Sequence, residues 1–443
     1  MKSNSYVFRC AIIAAMGGFL FGFDTVVISG AEQTVQSLWG LNATLHGLAM
    51  SAALWGTVLG ALFGGWPTDR YGRQRTLLYI GVLYLISAVG SAFSTDVWSF
   101  MMFRFIGGVG VGISTIAAPL YISEIAPPER RGRLTGLFQF NIVLGILVAF
   151  LSNALLSGIG ENAWRWMLGV EAFPALIFTL LCLTIPESPR WLIGRRDNRA
   201  EAIEIFRRIQ PELTAEQLDA RVAEIATIAQ APVSREGFWT WRLRKPIALA
   251  FLVAFFNQLS GINAILYFAP RIFEMTGLAS EAALLQSIGI GVTNLIFTYV
   301  GLRMIDKLGR RTLLYIGSFG YLVSLGTSSW AFFTGHFGIV PYCIFAFIAA
   351  HAVGQGAVIW VLISEIFPNQ QRAAGQTLGS FTHWFFAAAL TMAFPAMVGA
   401  FEPGVVFLFF CFMMFLQLLW VRFMVPETKG RPLEQIEKDL GMS

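Results

Sequence analysis

Three ionisable side chains lie where the surrounding sequence is apolar enough for hydrocarbon: Asp24 in GGFLFGFDTVVISG, Arg104 in MMFRFIGGVGVG and Glu171 in WMLGVEAFPALIF. One such charge at a bilayer centre costs about 2.5–3.5 kcal/mol even on the most lenient scale, so each needs a partner and a purpose. Asp24 and Arg104 can pair, and a static tie between their helices is the simplest use. Glu171 then adds a second carboxyl against one guanidinium, leaving a negative charge uncompensated unless one carboxyl holds a proton. Proton affinity falls beside an arginine and rises in apolar surroundings. A trio whose spacing changes as helices move is therefore suited to loading and releasing a proton.

A second set of polar residues is equally deep but uncharged: Gln139 in LFQFNIVLGIL, Asn257, Gln258 and Asn263 in FFNQLSGINAILYF, and Asn294 in GVTNLIF, with Trp360 in VIWVL and the pair His383-Trp384 in FTHWFF. Neutral donors and acceptors beside an aromatic platform suit a small neutral polyol better than a cation. Each residue alone could equally be glue between helices. Gln258 and Asn263 help decide, because five residues turn a regular helix by about 140° and point them apart. Ser260 and Gly261 between them permit a break that would let both reach one ligand and would give Tyr267 and Phe268 the freedom of a gate.

The elements carrying these residues follow from composition. The chain is 56% hydrophobic and 13% charged, against roughly 25% charged in soluble domains. Runs of about 20 apolar residues predict twelve membrane spans, near 7–29, 46–67, 76–94, 97–122, 134–156, 164–185, 246–274, 282–303, 311–333, 338–364, 373–396 and 402–424. The first continues into polytopic sequence without a cleavage site and reads as a retained span. Loops after spans 2, 4, 8 and 10 hold Arg70, Arg73, Arg75, Arg130, Arg131, Arg133, Lys307, Arg310, Arg311 and Arg372, whereas the alternate loops carry Glu32, Asp96, Glu161, Glu281 and Glu402. Basic loops stay inside, so both termini are expected in the cytoplasm. The net charge of +5 then expresses this bias and calls for no nucleic acid. Cys10, Cys182, Cys343 and Cys411 are unpaired in spacing, the histidines His46, His336, His351 and His383 are scattered, and no metal site, cofactor or nucleophile–base arrangement is indicated.

The chain repeats itself. DRYGRQR at Asp69, SEIAPPERRG around Glu124 and PESPR at Pro186 recur about 240 residues later as DKLGRRT at Asp306, SEIFPNQQRAAG around Glu365 and PETKG at Pro426. Two six-span bundles, 1–189 and 246–425, are implied, with a tail at 426–443. Residues 190–245 between them hold eleven Lys or Arg and read as a cytoplasmic helical connector punctuated by Pro211 and Pro232. In each bundle the charged turn offers a latch: Asp69, Arg73, Glu124 and Arg131 in the first, Asp306, Arg310, Glu365 and Arg372 in the second. Charge pairs of this kind gate only by differing between states.

Two parallel six-span halves are the layout of major facilitator transporters, with substrate bound between them. GGWPTDRYGRQR, RFIGGVGVG, PESPRWL, QLSGIN and PETKGRPLEQIE, in that order over nearly the whole chain, resemble the sugar porter family of that superfamily. The resemblance implies an all-α membrane protein of twelve helices that binds a small neutral monosaccharide in the lipid bilayer of the bacterial inner membrane, as a monomer, with the proton as coupling ion. It assigns the sugar site to Phe21, Gln139, Asn257, Gln258, Asn263, Asn294, Trp360, His383 and Trp384, and proton coupling to Asp24, Arg104 and Glu171. The sequence also departs from the family. Asn257 stands where a Gln is usual, Phe268 where a Tyr is usual, and His383, which can titrate near neutrality, replaces Gln or Asn. Ala357 replaces a Pro and is expected to stiffen span 10. The expected function is monosaccharide–proton symport by alternating access, with facilitated uniport as the alternative and a non-transporting sensor as a more distant one. An enzyme is not expected.

Overall fold

A chain in hydrocarbon has to satisfy its backbone N–H and C=O groups internally, which long apolar runs do as helices. The computed structural model describes residues 2–127, 130–230, 237–368, 370–431 and 433–441, and no strand occurs among the described residues. Pro232 lies outside them. Spans 1 to 5 are the helices Lys2–Val27, Ala43–Phe63, Arg73–Phe93, Val97–Ile125 and Arg131–Leu156. Span 6 is interrupted between Ala163–Gly169 and Ala172–Cys182, because Pro174 has no N–H to give the Val170 carbonyl. Glu171 sits at this interruption.

Span 7 has three pieces, Arg244–Leu259, Ile262–Tyr267 and Ala269–Glu274. Spans 8 and 9 are Ser280–Leu308 and Arg310–Thr334, span 10 is Val340–Val353 with Gln355–Ile366, and spans 11 and 12 are Arg372–Ala400 and Pro403–Phe423. The expected stiffening of span 10 by Ala357 does not occur. Its helix breaks at Gly354, where a Cβ would stand 2.8 Å from the Gly317 Cα of span 9. Close approach of two helices, not a proline, sets that break.

Eleven of the twelve runs are long and apolar enough to cross a membrane by length and composition; span 9 is the exception. Its 25 residues make about 37 Å of helix, enough for a hydrocarbon core of roughly 30 Å. Its apolar character is diluted by Ser318, Ser324, Ser328 and Ser329, all of which are buried. Three of them donate one turn back, to the carbonyls of Leu314, Gly320 and Ser324, and Ser329 donates to the Gly404 carbonyl of span 12 at 2.7 Å. The hydroxyls are thus satisfied inside the protein, and span 9 completes the set of twelve.

In space the chain forms two units, Met1–Asp24 with Gly56–Ile146 and Leu168–Ser234, and Thr25–Trp55 with Leu147–Met167 and Arg235–Ser443. The first unit includes the connector helices Pro189–Arg196, Arg199–Ile209 and Ala215–Gln230. Ile205, Phe206, Ile209, Leu218 and Val222 of these helices are buried in one core with Val7, Tyr121, Phe178 and Trp191. The charge-rich connector therefore has one apolar stripe docked on the first unit and one solvated face. In the second unit the ends of spans 1, 2, 5 and 6 remote from the arginine-rich loops pack with spans 7 to 12.

Candidate functional site

The acid–base trio lies wholly in the first unit. Arg104 Nη1 donates to Asp24 Oδ1 at 2.5 Å and Nη2 donates to the Asp24 backbone carbonyl at 2.9 Å. Asp24, Arg104 and Glu171 are each 2% exposed or less. The carboxyls of Asp24 and Glu171 interact with each other as well as with Arg104, and the fully buried Tyr84 lies within electrostatic reach of both. Asp24 Oδ2 and Glu171 Oε1 are buried without a hydrogen-bond donor among the described residues. Two acceptors facing a shortage of donors are what one added proton would satisfy. Phe21 and Gln139, also in this unit, are partly buried.

The neutral polar residues converge in the second unit. Span 7 breaks at Ser260 and Gly261, where Gly261 takes φ +87°, a backbone region that favours glycine. The turn removes the expected divergence: Asn263 Nδ2 donates to Gln258 Oε1 at 2.6 Å. Gln258 Nε2 donates to Asn257 Oδ1 at 2.9 Å and lies 3.1 Å from Nε2 and 3.3 Å from Nδ1 of His383. The His383 ring is flanked by Trp360 at 5.2 Å and Trp384 at 4.7 Å between ring centroids. Amides, an imidazole and two indoles thus form one neutral cluster from spans 7, 10 and 11. Asn294 is buried but bonded along its own helix, accepting from Thr298 Oγ1 at 3.3 Å. Tyr267 and Phe268 follow the cluster, both buried, and the Phe268 ring lies 4.9 Å from that of Phe394, tilted by 31°.

A sequence model of the family described as sugar (and other) transporters matches residues 10–440. The chain belongs to the sugar transporter family. This sugar transporter is 36% identical over 445 residues to the arabinose-proton symporter of Bacillus subtilis (strain 168), covering 98% of this chain and 95% of that one. It is 34% identical over 475 residues to the D-xylose-proton symporter of Escherichia coli (strain K12), covering 98% and 96%. The inward open conformation of the xylose transporter XylE from E. coli matches it with a TM-score of 0.87 at 32% identity, over 98% of this chain and 99% of that one. Its fold is that of the major facilitator superfamily.

The duplicated motifs of the sugar transporter build the same charged cluster in each unit. Arg73 grips Glu124 with two bonds of 3.0 Å and reaches Asp69 at 3.1 Å. Arg310 grips Glu365 at 3.0 and 2.7 Å and reaches Asp306 at 3.3 Å. A forked guanidinium on a carboxylate is among the stronger polar contacts available. Arg131 and Arg372 are not in these clusters. Arg131 donates to the Ser123 carbonyl at 3.1 Å, while two guanidinium nitrogens of Arg372 are buried without a partner among the described residues.

Two residues that sequence reasoning passed over complete the clusters. Glu187 Oε1 accepts the N–H groups of Arg73 and Gln74 at 2.8 and 3.2 Å, and Glu427 accepts those of Arg310 and Arg311 at 2.9 and 3.1 Å. Each carboxylate sits on a helix N-terminus, where free N–H groups and the helix dipole favour an anion. Burial pushes the Glu187 carboxyl up from its usual range, while the N–H groups of Ser188, Gln74 and Arg73 and the Arg73 charge pull it back. Gly72 and Gly309, at φ +102° and +92°, precede the two arginines, and a Cβ on either would collide with Glu187 or Glu427. The signal was the repeat of PES and PET at the common offset.

Proposed function

We propose that this protein is a monosaccharide–proton symporter working by alternating access, with a pentose or hexose as cargo. The observation that carries the reading is the trio itself: two buried carboxyls, one guanidinium, and two carboxylate oxygens lacking a donor. One proton supplies the donor and cancels the surplus charge; moving Arg104 away from Asp24 makes room for it, and moving it back expels it. Asp24 is the proton acceptor, Arg104 its modulator and Glu171 the supporting carboxyl. The relatives named as arabinose-proton and D-xylose-proton symporters support the same chemistry.

Sugar binding falls to Asn257, Gln258, Asn263, His383, Trp360 and Trp384, joined by Phe21, Gln139 and Asn294. Gln258 already spends its amide on Asn257, Asn263 and His383, so a sugar exchanges its hydroxyls into an existing network and does not fill unsatisfied positions. Tyr267 and Phe268 gate one end; the Arg73 and Arg310 clusters, together with Arg131 and Arg372, gate the other. Bundles 1–189 and 246–425 move about the connector 190–245, with 426–443 as tail. The chain acts as a monomer in the bacterial inner membrane, with both termini cytoplasmic, and uses the proton and no cofactor. Transport, not catalysis, is its activity.

Asp24→Asn tests the reading. Symport predicts loss of uphill accumulation with sugar exchange across the membrane retained. A facilitator with a permanent Asp24–Arg104 pair predicts no accumulation in either protein, and accumulation that survives the substitution would contradict the assigned proton acceptor.

A further inference from the structure

The second unit contains an ion cluster that the steps above do not use. Glu32 opens the short helix Glu32–Leu38 that follows span 1, and Arg271 lies on Ala269–Glu274, the last piece of span 7. Arg271 Nε donates to Glu32 Oε1 and Nη2 to Oε2, both at 2.8 Å, and Nη2 also donates to Gln36 Oε1 at 2.6 Å. His46 Nε2 lies 2.8 Å from Glu32 Oε2; a carboxylate only accepts, so this nitrogen carries the hydrogen. Glu32 and His46 are fully buried, and the Arg271 side chain is 23% exposed. The His46 ring meets the Phe268 ring edge-on at 6.2 Å. The turn Ile28–Gly30 between span 1 and the Glu32 helix packs against both Ile262–Tyr267 and Ala269–Glu274.

We propose that the Glu32–Arg271 fork, seated by Gln36 and His46, is a lock that holds the last piece of span 7 against the end of span 1 and so keeps the Gln258 cluster closed from the end opposite the arginine-rich loops. Arg271 follows Phe268 by three residues, so the lock fixes the gate through the backbone, and Arg271 is a positioning residue. A desolvated fork of this kind is costly to break on one side only, because the remaining partner is left as a buried bare charge. Its opening is then a discrete event, compensated by whatever the open state gains. The assignment of that event to one half of the transport cycle rests on the alternating-access reading.

Ser29, in the packed turn and 3% exposed, provides the reporter. Ser29→Cys is made in a background without the four native cysteines and labelled on intact cells with a membrane-impermeant maleimide. Arg271→Gln and Glu32→Gln should each raise the labelling rate several-fold, Arg271→Lys less, and the double variant little further than the singles, since both single substitutions break the same fork. Unchanged labelling in both Gln variants, or effects that multiply in the double, would overturn the lock. Retained sugar exchange identifies the variants that fold, and Arg271→Lys keeps the test available if a Gln variant does not. Labelling that rises in the variants yet ignores added sugar would count against alternating access and leave the lock standing.

Discussion

Arg104 holds Asp24 by two contacts of different kinds, one to the carboxylate at 2.5 Å and one to the backbone carbonyl of the same residue at 2.9 Å. The second contact survives protonation of the side chain, because a carbonyl accepts whatever the carboxyl carries. Arg104 therefore keeps a foothold on span 1 while its bond to the carboxyl is given up. Arg104→Gln removes both contacts and leaves two carboxyls without a cation, which should cost about 3–5 kcal/mol if both remain charged. Thermal unfolding in detergent should show a clear loss that Asp24→Asn, added to it, partly reverses; purely additive losses would deny the coupling.

The two motif glycines give a matched pair of tests. Gly72→Ala and Gly309→Ala put a Cβ where the backbone conformation is nearly glycine-only, a strain of about 1–3 kcal/mol, and against Glu187 or Glu427 besides. Both should lower the unfolding temperature, and pairing each with Glu187→Ala or Glu427→Ala should recover the steric part. Equal behaviour of the two halves is expected from their equal geometry.

Glu187→Gln and Glu427→Gln probe the helix caps. At Glu427 both oxygens accept backbone N–H groups, so an amide puts an N–H against one of them. At Glu187 the amide oxygen can still accept, but the negative charge is lost from the helix N-terminus. Each variant should therefore weaken the Arg73 or Arg310 turn without touching the sugar cluster. The expected result is a changed rate of net uptake with little change in sugar affinity. A changed affinity with an unchanged rate would contradict a gating role.

His383→Gln probes selectivity. The imidazole borders Gln258, Trp360 and Trp384 at once, and a buried hydrogen bond lost or mispaired is worth about 1–3 kcal/mol. In competition assays with xylose, arabinose, glucose, galactose and inositol, relative affinities should shift by roughly fivefold or more for some sugars. An unchanged ranking would remove His383 from the specificity-setting residues.

How much was legible in the sequence follows from the range of each signal. The spans are local in composition, and the Asp24–Arg104 pairing follows from charges that have nowhere else to go. The break in span 7 was legible because Ser260 and Gly261 sit between two amides that otherwise diverge. The break in span 10 was not, because Gly354 matters through its approach to Gly317 on another helix. Glu187 and Glu427 act on backbone N–H groups, which carry no residue type to search for. Glu32 read as a loop charge because its partner Arg271 is 239 residues away. Arg131 and Arg372 looked like latch members by type and repeat position, yet neither hydrogen-bonds to the acidic residues of the clusters.

Whether the proton moves with the sugar is tested most directly in proteoliposomes at low buffer strength, with no imposed gradient. External sugar is added and the external pH is recorded. Symport predicts sugar-driven alkalinisation outside that scales with uptake and is absent in Asp24→Asn. Sugar entry at full rate with no pH change would contradict it and leave a facilitator in which Asp24 and Arg104 stay paired.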